Sequence, residues 1–250
     1  VNVISALNPR SLFLKEIIVA VKPDVVLVQS TRAEILFRQL GCKTAFVPSG
    51  VDTSKFKPFT DREKRKLRTK YGIPKDGFVV LHIGHITTAR NLRLLAGLQS
   101  KDCQVVVVGS LFGGVDRGVY KELKSRGCIV WNRYFHNIEE IYGIANCYVF
   151  PTTDETAGIG IPLTVLEAMA CNLPVVTTPF GGLPRIFREG DGLFFLRDQL
   201  KLPEALKDVH KAHLLNHSYV RTRKKVLSYS WDNIAKRVES IYRLELLNKK

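Results

Sequence analysis

Along this chain, short runs of β-branched and aromatic residues alternate with longer stretches in which apolar residues recur every third or fourth position. The short runs are PDVVLVQ (23–29), TAFVP (44–48), FVVLHIG (78–84), QVVVVG (104–109), CIVW (128–131), NCYVFP (146–151), PVVTT (174–178) and LFFL (193–196). Continuous apolar runs of this kind predict strands covered on both faces, as in a parallel sheet between helices. The stretches 90–99, 115–126, 137–145 and 162–171 are amphipathic and long enough for right-handed crossovers. The pattern predicts an α/β protein, a doubly wound parallel-sheet, Rossmann-like domain.

Polar punctuation divides the chain further. SGVDTSKFKPF reads as an irregular connector near 50–58. Residues 1–55 carry two predicted strands, too few to close a core at that size, and are expected to be the tail of a preceding domain with its linker. Residues 56–230 begin with a basic helix at 61–70 and continue into six strands alternating with helices, one complete unit. Residues 231–250 are expected to form a closing helix, with Ile234, Val238, Ile241 and Leu244/Leu246 on its apolar face and Ser230 or Asp232 as its cap. The chain opens on Val1 without the basic-then-apolar pattern of a signal peptide, and the expectation is a fragment or remnant of a longer protein.

Composition narrows the classes. The chain has 250 residues, 45% of them hydrophobic, which suffices for a packed core, and no apolar run approaches the ~18–20 residues of a membrane span. Cys42, Cys103, Cys128, Cys147 and Cys171 form no CxxC pair, which argues against zinc ribbons, thioredoxin-like redox sites and a disulfide framework. A reducing, cytoplasmic setting is expected. Lys and Arg number 38 against 23 Asp and Glu, a net charge of +15, so anionic partners are expected. Much of the charge falls in two blocks, 55–70 and 221–225. Their plain reading is a solvated helix face; the alternative is attraction to phosphate ligands or to an anionic membrane surface, peripheral on its inner face. Nucleic acid is disfavoured, because the aromatics are not interleaved with the basic residues. There is no GxxxxGK[ST] loop, HExxH, GxSxG or Asp-x-Asp pair, so no metal site is expected.

The segment PTTDETAGIGIPLTVLEAMACNLPVVTT (151–178) carries the chemistry. A strand ends, Gly158 and Gly160 remove side chains, and Pro162 sits where a helix begins. Unpaired amides and the helix dipole at such a mouth suit a diphosphate. Glu167, on an otherwise apolar helix, needs a partner or a cleft. Sugar or ribose hydroxyls are one set of donors; an ion pair with a nearby arginine, or the capping of a neighbouring loop, is the plain alternative.

This segment resembles the donor-binding core of the retaining, nucleotide-sugar-dependent glycosyltransferases of the GT-B fold, the large family-4 group (glycosyl transferases group 1), mainly their carboxy-terminal domain. GIPLTVLEAMACNLPVV is similar to that family's pattern at nearly every position. VPSGVDTSKFKP looks like its interdomain signature, HIGHITTARNL its phosphate-binding strand and loop, RYFHNIEEIYGIANCYVFPT the segment beside the base pocket, and YSWDNIAKRVESIY its closing helix. The resemblance implies that Glu167 holds the nucleotide ribose and that Gly84, His85 and Arg90 form the diphosphate-gripping loop, His85 standing at the usual Arg and Arg90 at the usual Lys. It implies that the amides of Leu163 and Thr164 meet the diphosphate, and that Arg133, Tyr134 and Phe135 frame the base. For Arg90 the plain alternative is a surface residue at a helix start.

Two positions depart from the family. The first Glu of its acidic pair, beside the transferring sugar, is Ile159 here, with Asp154 and Glu155 as the nearest carboxylates; the catalytic residue is therefore unassigned. Arg185 stands where the family has Glu. GT-B enzymes also place the site between two domains, of which this chain holds the tail of the first. The resemblance implies transfer of a hexose from a nucleoside diphosphate sugar, such as a UDP- or GDP-hexose, to a glycan, lipid or protein acceptor, with retention and without a metal or further cofactor. The alternative is a catalytically silent or split-subunit nucleotide-sugar-binding module, completed by an N-terminal partner domain or a homo-oligomer.

Overall fold

A computed structural model describes residues 1–7, 14–110, 114–215 and 219–247. In chain order the elements are β1 (Val3–Ala6), α1 (Leu14–Val21), β2 (Val25–Val28), α2 (Thr31–Gln39), β3 (Thr44–Phe46), α3 (Asp61–Tyr71), β4 (Phe78–Ile83), α4 (Arg93–Ala96), β5 (Cys103–Gly109), α5 (Arg117–Ser125), β6 (Ile129–Asn132), α6 (Ile138–Gly143), β7 (Cys147–Phe150), α7 (Leu163–Ala170), β8 (Val175–Thr177), α8 (Leu183–Ile186), β9 (Leu193–Phe195), α9 (Leu202–Leu215), α10 (Thr222–Val226) and α11 (Trp231–Leu247).

The strands form two sheets, parallel throughout. One has the order β1-β2-β3 and the other β6-β5-β4-β7-β8-β9. The larger sheet is buried on both faces. Val79, Leu81, Val106, Val108, Tyr148 and Phe150 point into one core, with α6 and α7. Val80, Val105, Val107, Val149 and Val176 point into the other, with α4, α5 and α9. This double burial is what the unbroken Val runs require. The sheet's order reverses where β7 follows β4, and the chain there leaves a crevice at the carboxyl ends of the strands, where doubly wound sheets take up ligands.

Every predicted strand is present within a few residues. The smaller sheet has a third strand, β1, whose VISA sequence is too short to stand out. Its hydrophobic faces are closed by α1 and α2 on one side and by α11 on the other, where Leu27, Val47, Val3 and Ala45 meet Ile234, Val238 and Ile241. Ser230 caps α11, accepting from the Asn233 amide at 3.3 Å. The apolar face does not continue through Leu244 and Leu246, which are 59% and 54% exposed. Helical spacing carries the buried stripe to Glu245 instead, which pairs with Lys43 at 2.6 Å. Residues 248–250 of the expected closing helix lie outside the described residues.

The helix expected at 90–99 is interrupted. Asn91 takes a left-handed conformation (φ 56°), and its side-chain amide donates to the Pro151 carbonyl and to Thr153 Oγ1, both at 3.1 Å. Only Arg93–Ala96 is α-helical. α3 begins with a capping box between Thr60 and Glu63 and ends at Gly72, φ 66°, as its sequence directs. Its basic composition conceals a structural residue: the buried Arg68 donates to the carbonyls of Ile144, Lys75 and Gly77 and to Asn146 Oδ1. The block at 221–225 is likewise partly structural. Arg223 donates to the carbonyls of Phe56, Ala170 and Thr53, and Lys225 pairs with Asp191.

Candidate functional site

β4 and β7 deliver two loops to the crevice. After β4 the chain passes through Gly84 and the half-buried His85 to Arg90; after β7 it runs through Asp154 to Gly158. Arg90 is 8% exposed, so it is no surface residue. Its Nη2 donates to the Ala157 carbonyl at 2.8 Å, and its Cζ lies 5.7 Å from the centre of the Phe150 ring. Gly84 leaves the space that the guanidinium occupies: a Cβ there would stand 2.8 Å from Arg90 Nη1 and 3.1 Å from His82 Nε2. Gly158 sits on the other side, its absent Cβ 3.5 Å from Arg90 Nη2. The two loops thus hold a buried, permanently charged fork at the switch point.

His82 was not among the residues expected at the site, although one polar residue within FVVLHIG was the available signal. It is fully buried, with Nδ1 2.9 Å from the Val149 carbonyl. Burial, followed by the nearby Arg90 charge and against the pull of the Val149 carbonyl, lowers its pKa to about 3. The ring is neutral at physiological pH, with Nδ1–H as donor.

Glu167 faces inward from α7 and accepts from the Tyr142 hydroxyl at 2.5 Å. Burial raises its pKa, opposed by the Tyr142 hydrogen bond and the charge of Lys55. Burial raises the Tyr148 pKa, while the charge of Arg90 lowers it and that of Glu167 raises it. Its hydroxyl donates to the Ile83 carbonyl at 3.3 Å. The charges of Arg90 and Glu167 therefore act on one tyrosine. Tyr142, Tyr148 and Lys55 are further residues missed in the sequence, where they read as core aromatics and one cation among many.

Beside Gly84 opens a cleft of about 270 Å³, lined by Lys55, Ile83, Val108–Ser110, Arg133–His136 and Ile138. Phe135 is buried against Tyr71 and Trp131, and the Arg133 guanidinium lies 4.6 Å from its ring centre. Tyr134 projects outward, 74% exposed. Gly84, Arg133, Tyr134 and Phe135, expected at one site, line one cleft.

The mouth of α7 is only partly open. Leu163 and Thr164 supply its first amides, which have no partner within the helix. Gly160 is engaged elsewhere: its amide donates to the Leu7 carbonyl at 3.0 Å, and a Cβ on it would meet Gln29 at 2.8 Å. Its smallness serves packing between the two sheets rather than approach by a phosphate. The next amide, Ile161, donates to Gln29 Oε1 at 3.4 Å, and Ser49 bridges Gln29 to the Ile161 carbonyl. Ile159 is half-buried and brings no acid. Asp154 accepts from the amide and hydroxyl of Thr156, both within the loop. Arg185 pairs with Glu34 and stacks over Phe46, Cζ to ring centre 4.0 Å. Among the described residues no three His, Cys, Asp or Glu side chains gather as metal ligands, and no helix is long and apolar enough to cross a membrane.

The parallel order, the reversal between β4 and β7 and the crevice there define a Rossmann-like α/β unit. The chain belongs to the family described as glycosyl transferases group 1, whose model matches residues 78–212. It is 31% identical over 156 residues to a D-inositol 3-phosphate glycosyltransferase of Paenarthrobacter aurescens, covering 57% of this chain and 36% of that protein. It is 27% identical over 245 residues to the Corynebacterium urealyticum protein of the same name, covering 87% and 56%. The chain thus spans between about a third and a half of these relatives. Among solved structures it resembles Anabaena Alr3699/HepE in complex with UDP, with TM-score 0.80, 17% identity, and coverage of 96% of this chain and 71% of that one. It also resembles a glycosyltransferase of Rickettsia africae, with TM-score 0.77, 17% identity and coverage of 98% and 70%.

Proposed function

We propose that residues 56–230 bind a nucleoside diphosphate hexose and supply the donor half of a retaining, metal-independent glycosyltransferase. Residues 1–55 belong to the acceptor side of the cleft. The observation that carries this reading is the buried Arg90 at the switch point, whose charge acts on the same tyrosine as that of Glu167. The base enters the cleft against Phe135, its edges met by backbone around Arg133–Phe135. The ribose hydroxyls donate to Glu167, held by Tyr142. The diphosphate lies over Gly84 within reach of Arg90 and of the Leu163 and Thr164 amides. As the glycosidic bond breaks, negative charge builds on the departing diphosphate. A guanidinium fixed by Ala157 and Phe150 stabilises that charge without having to reorient. The Anabaena relative was solved with UDP-glucose, which makes a uridine donor the first to test; the acceptor is a glycan, lipid or protein hydroxyl.

The test is thermal stabilisation of the protein by UDP-, GDP- and ADP-hexoses. One donor should raise Tm, and Arg90→Ala and Glu167→Ala should each abolish most of the shift. Only Arg90→Ala should weaken binding of inorganic diphosphate. Stabilisation that survives both substitutions would refute the assignment.

A second reading, a nucleotide-sugar-binding module without transfer activity of its own, is favoured by Ile159 and by the Gly160–Leu7 contact beside it. A chain that binds the donor but transfers hexose only after an N-terminal partner is added would establish it.

A further inference from the structure

The two basic blocks have different fates in the fold. In 221–225, Arg223 and Lys225 are spent on carbonyls and on Asp191. In α3 the inward positions are Lys64, Leu67, Arg68 and Tyr71: Leu67 and Tyr71 pack on the core, Arg68 is buried, and Lys64 donates to the Ala145 carbonyl at 2.7 Å. The outward positions are Arg62, Arg65, Lys66 and Thr69, at the i, i+3, i+4, i+7 spacing that makes one straight stripe. All are exposed. Lys75, just past the Gly72 turn, lines the same open groove of about 610 Å³ along the helix, with Asp61 as its single acid. None of these four cations is in an ion pair with a described residue, and the nearby Glu63 is turned back to Thr60 in the capping box.

We propose that this stripe, Arg62, Arg65 and Lys66 with Lys75 beside them, docks on the anionic head groups of a bilayer surface. The charge complementarity is direct: three exposed cations on one helix line, with a fourth beside them, meet a plane of phosphates without desolvating. The helix's aromatic residue, Tyr71, is turned inward against Trp131 and Phe135. The stripe therefore offers no platform for stacking bases, which disfavours single-stranded nucleic acid. The stripe lies on the outer side of the helix whose inner side supports the Phe135 cleft, and the proposal does not depend on what that cleft binds.

The experiment is co-flotation with vesicles of phosphatidylcholine alone and of phosphatidylcholine with about 30% phosphatidylglycerol, an anionic surface, at low and physiological salt. Three proteins are compared: wild type, R62Q/R65Q/K66Q/K75Q, and the charge-matched control K101Q/K121Q/K124Q/R126Q, whose residues are exposed on other elements. Wild type should bind the anionic vesicles and not the neutral ones, less at higher salt. The stripe variant should lose up to about six-hundredfold in partitioning, given roughly fivefold for each of four surface cations, and the control much less. Circular dichroism and Tm confirm that the glutamine variants fold, Gln being a good helix former. Equal losses in the two variants would reduce the effect to net charge and overturn the proposal, as would undiminished binding by the stripe variant or equal binding to neutral vesicles. A parallel titration with a random DNA duplex at physiological salt makes nucleic acid an outcome: tighter, stripe-dependent duplex binding would replace the lipid assignment.

Discussion

Gly84→Ala is the sharpest perturbation of the proposed diphosphate grip, because it changes no charge. The added methyl carbon would stand 2.8 Å from Arg90 Nη1 and 3.1 Å from His82 Nε2. Ordinary contact lies near ~3.5 Å, so a gap of about 0.7 Å must open on the arginine side. His82 cannot retreat, being fully buried and held to the Val149 carbonyl. The guanidinium therefore moves, away from its bond to Ala157 and off the Phe150 ring. Overpacking of this kind costs about 1–3 kcal/mol of stability, and the alanine would in addition be held at φ 159°, a conformation that L residues rarely adopt. Bound phosphate loses part of a charge-assisted contact worth about 1.5–3 kcal/mol, hence roughly tenfold in affinity. Isothermal titration with whichever of UDP, GDP or ADP stabilises the wild type measures the loss. The decisive comparison is a double-mutant cycle with Arg90→Ala. If Gly84 acts by making room for Arg90, adding Gly84→Ala to Arg90→Ala should change affinity by less than ~0.5 kcal/mol. The same tenfold loss in both backgrounds would refute the reasoning.

Substitutions at three further positions test the surrounding electrostatics and packing. His82, with its pKa lowered to about 3 against 6.5 unfolded, binds its proton more weakly when folded; stability should rise with pH from about 3 to 6.5 and level off above. His82→Asn keeps a donor for Val149, and its Tm against pH should be flatter over that window. Glu167 has its pKa raised by burial. It binds a proton more tightly when folded, so stability falls as pH climbs from the ordinary carboxylate value through the raised one. Glu167→Gln should accordingly gain Tm relative to wild type at pH 7 compared with pH 4, while losing nucleoside diphosphate affinity; a difference independent of pH would contradict the assigned burial effect. Arg185→Glu should lower Tm more than Arg185→Ala, because it sets a carboxylate against Glu34 besides removing the stack on Phe46, a contact worth about 0.5–1 kcal/mol where exposed.

The strands were legible because double burial writes itself as consecutive valines, and the connections because Gly and Pro punctuate them. Short or context-dependent elements were not. VISA becomes a strand because β2 offers it a parallel partner, and the predicted helix at 90–99 yields at Asn91 because its amide finds Pro151 and Thr153 across the switch point. At the site, residues with unusual chemistry for their setting could be picked out in advance: Arg90 after a glycine-bearing strand end, and Glu167 on an apolar helix. Their supports could not. Tyr142 and Tyr148 look like core filling in sequence, and only folding shows that their hydroxyls are aimed at Glu167 and Ile83. Gly160 misled for a related reason. A glycine before a helix suits phosphate approach and tight packing equally, and which of them requires it depends on a residue 131 positions upstream, Gln29.

That contact bears on how the two sheets move. A cleft that opens and closes needs a seam whose polar groups can be rewetted at little loss. Here Gly160 N–Leu7 O, Gln29–Ile161 and Ser49–Ile161 O satisfy backbone groups of the α7 lead-in directly, and Gln29, Ser49 and Ile161 are buried. Separation would strip partners from buried amides and carbonyls, at about 1–3 kcal/mol for each left unsatisfied. The outer contact, Arg185–Glu34, reaches solvent and gives way more readily. Motion should therefore pivot about the Gln29–Ile161 seam and widen toward that exposed ion pair. Hydrogen exchange offers the measurement: the Gly160 and Ile161 amides, which donate across the seam, should exchange slowly, and Gln29→Ala should speed exchange at Ile161. Fast exchange at Gly160 in the unmodified protein would mean that the seam, rather than the rim, is where the sheets part.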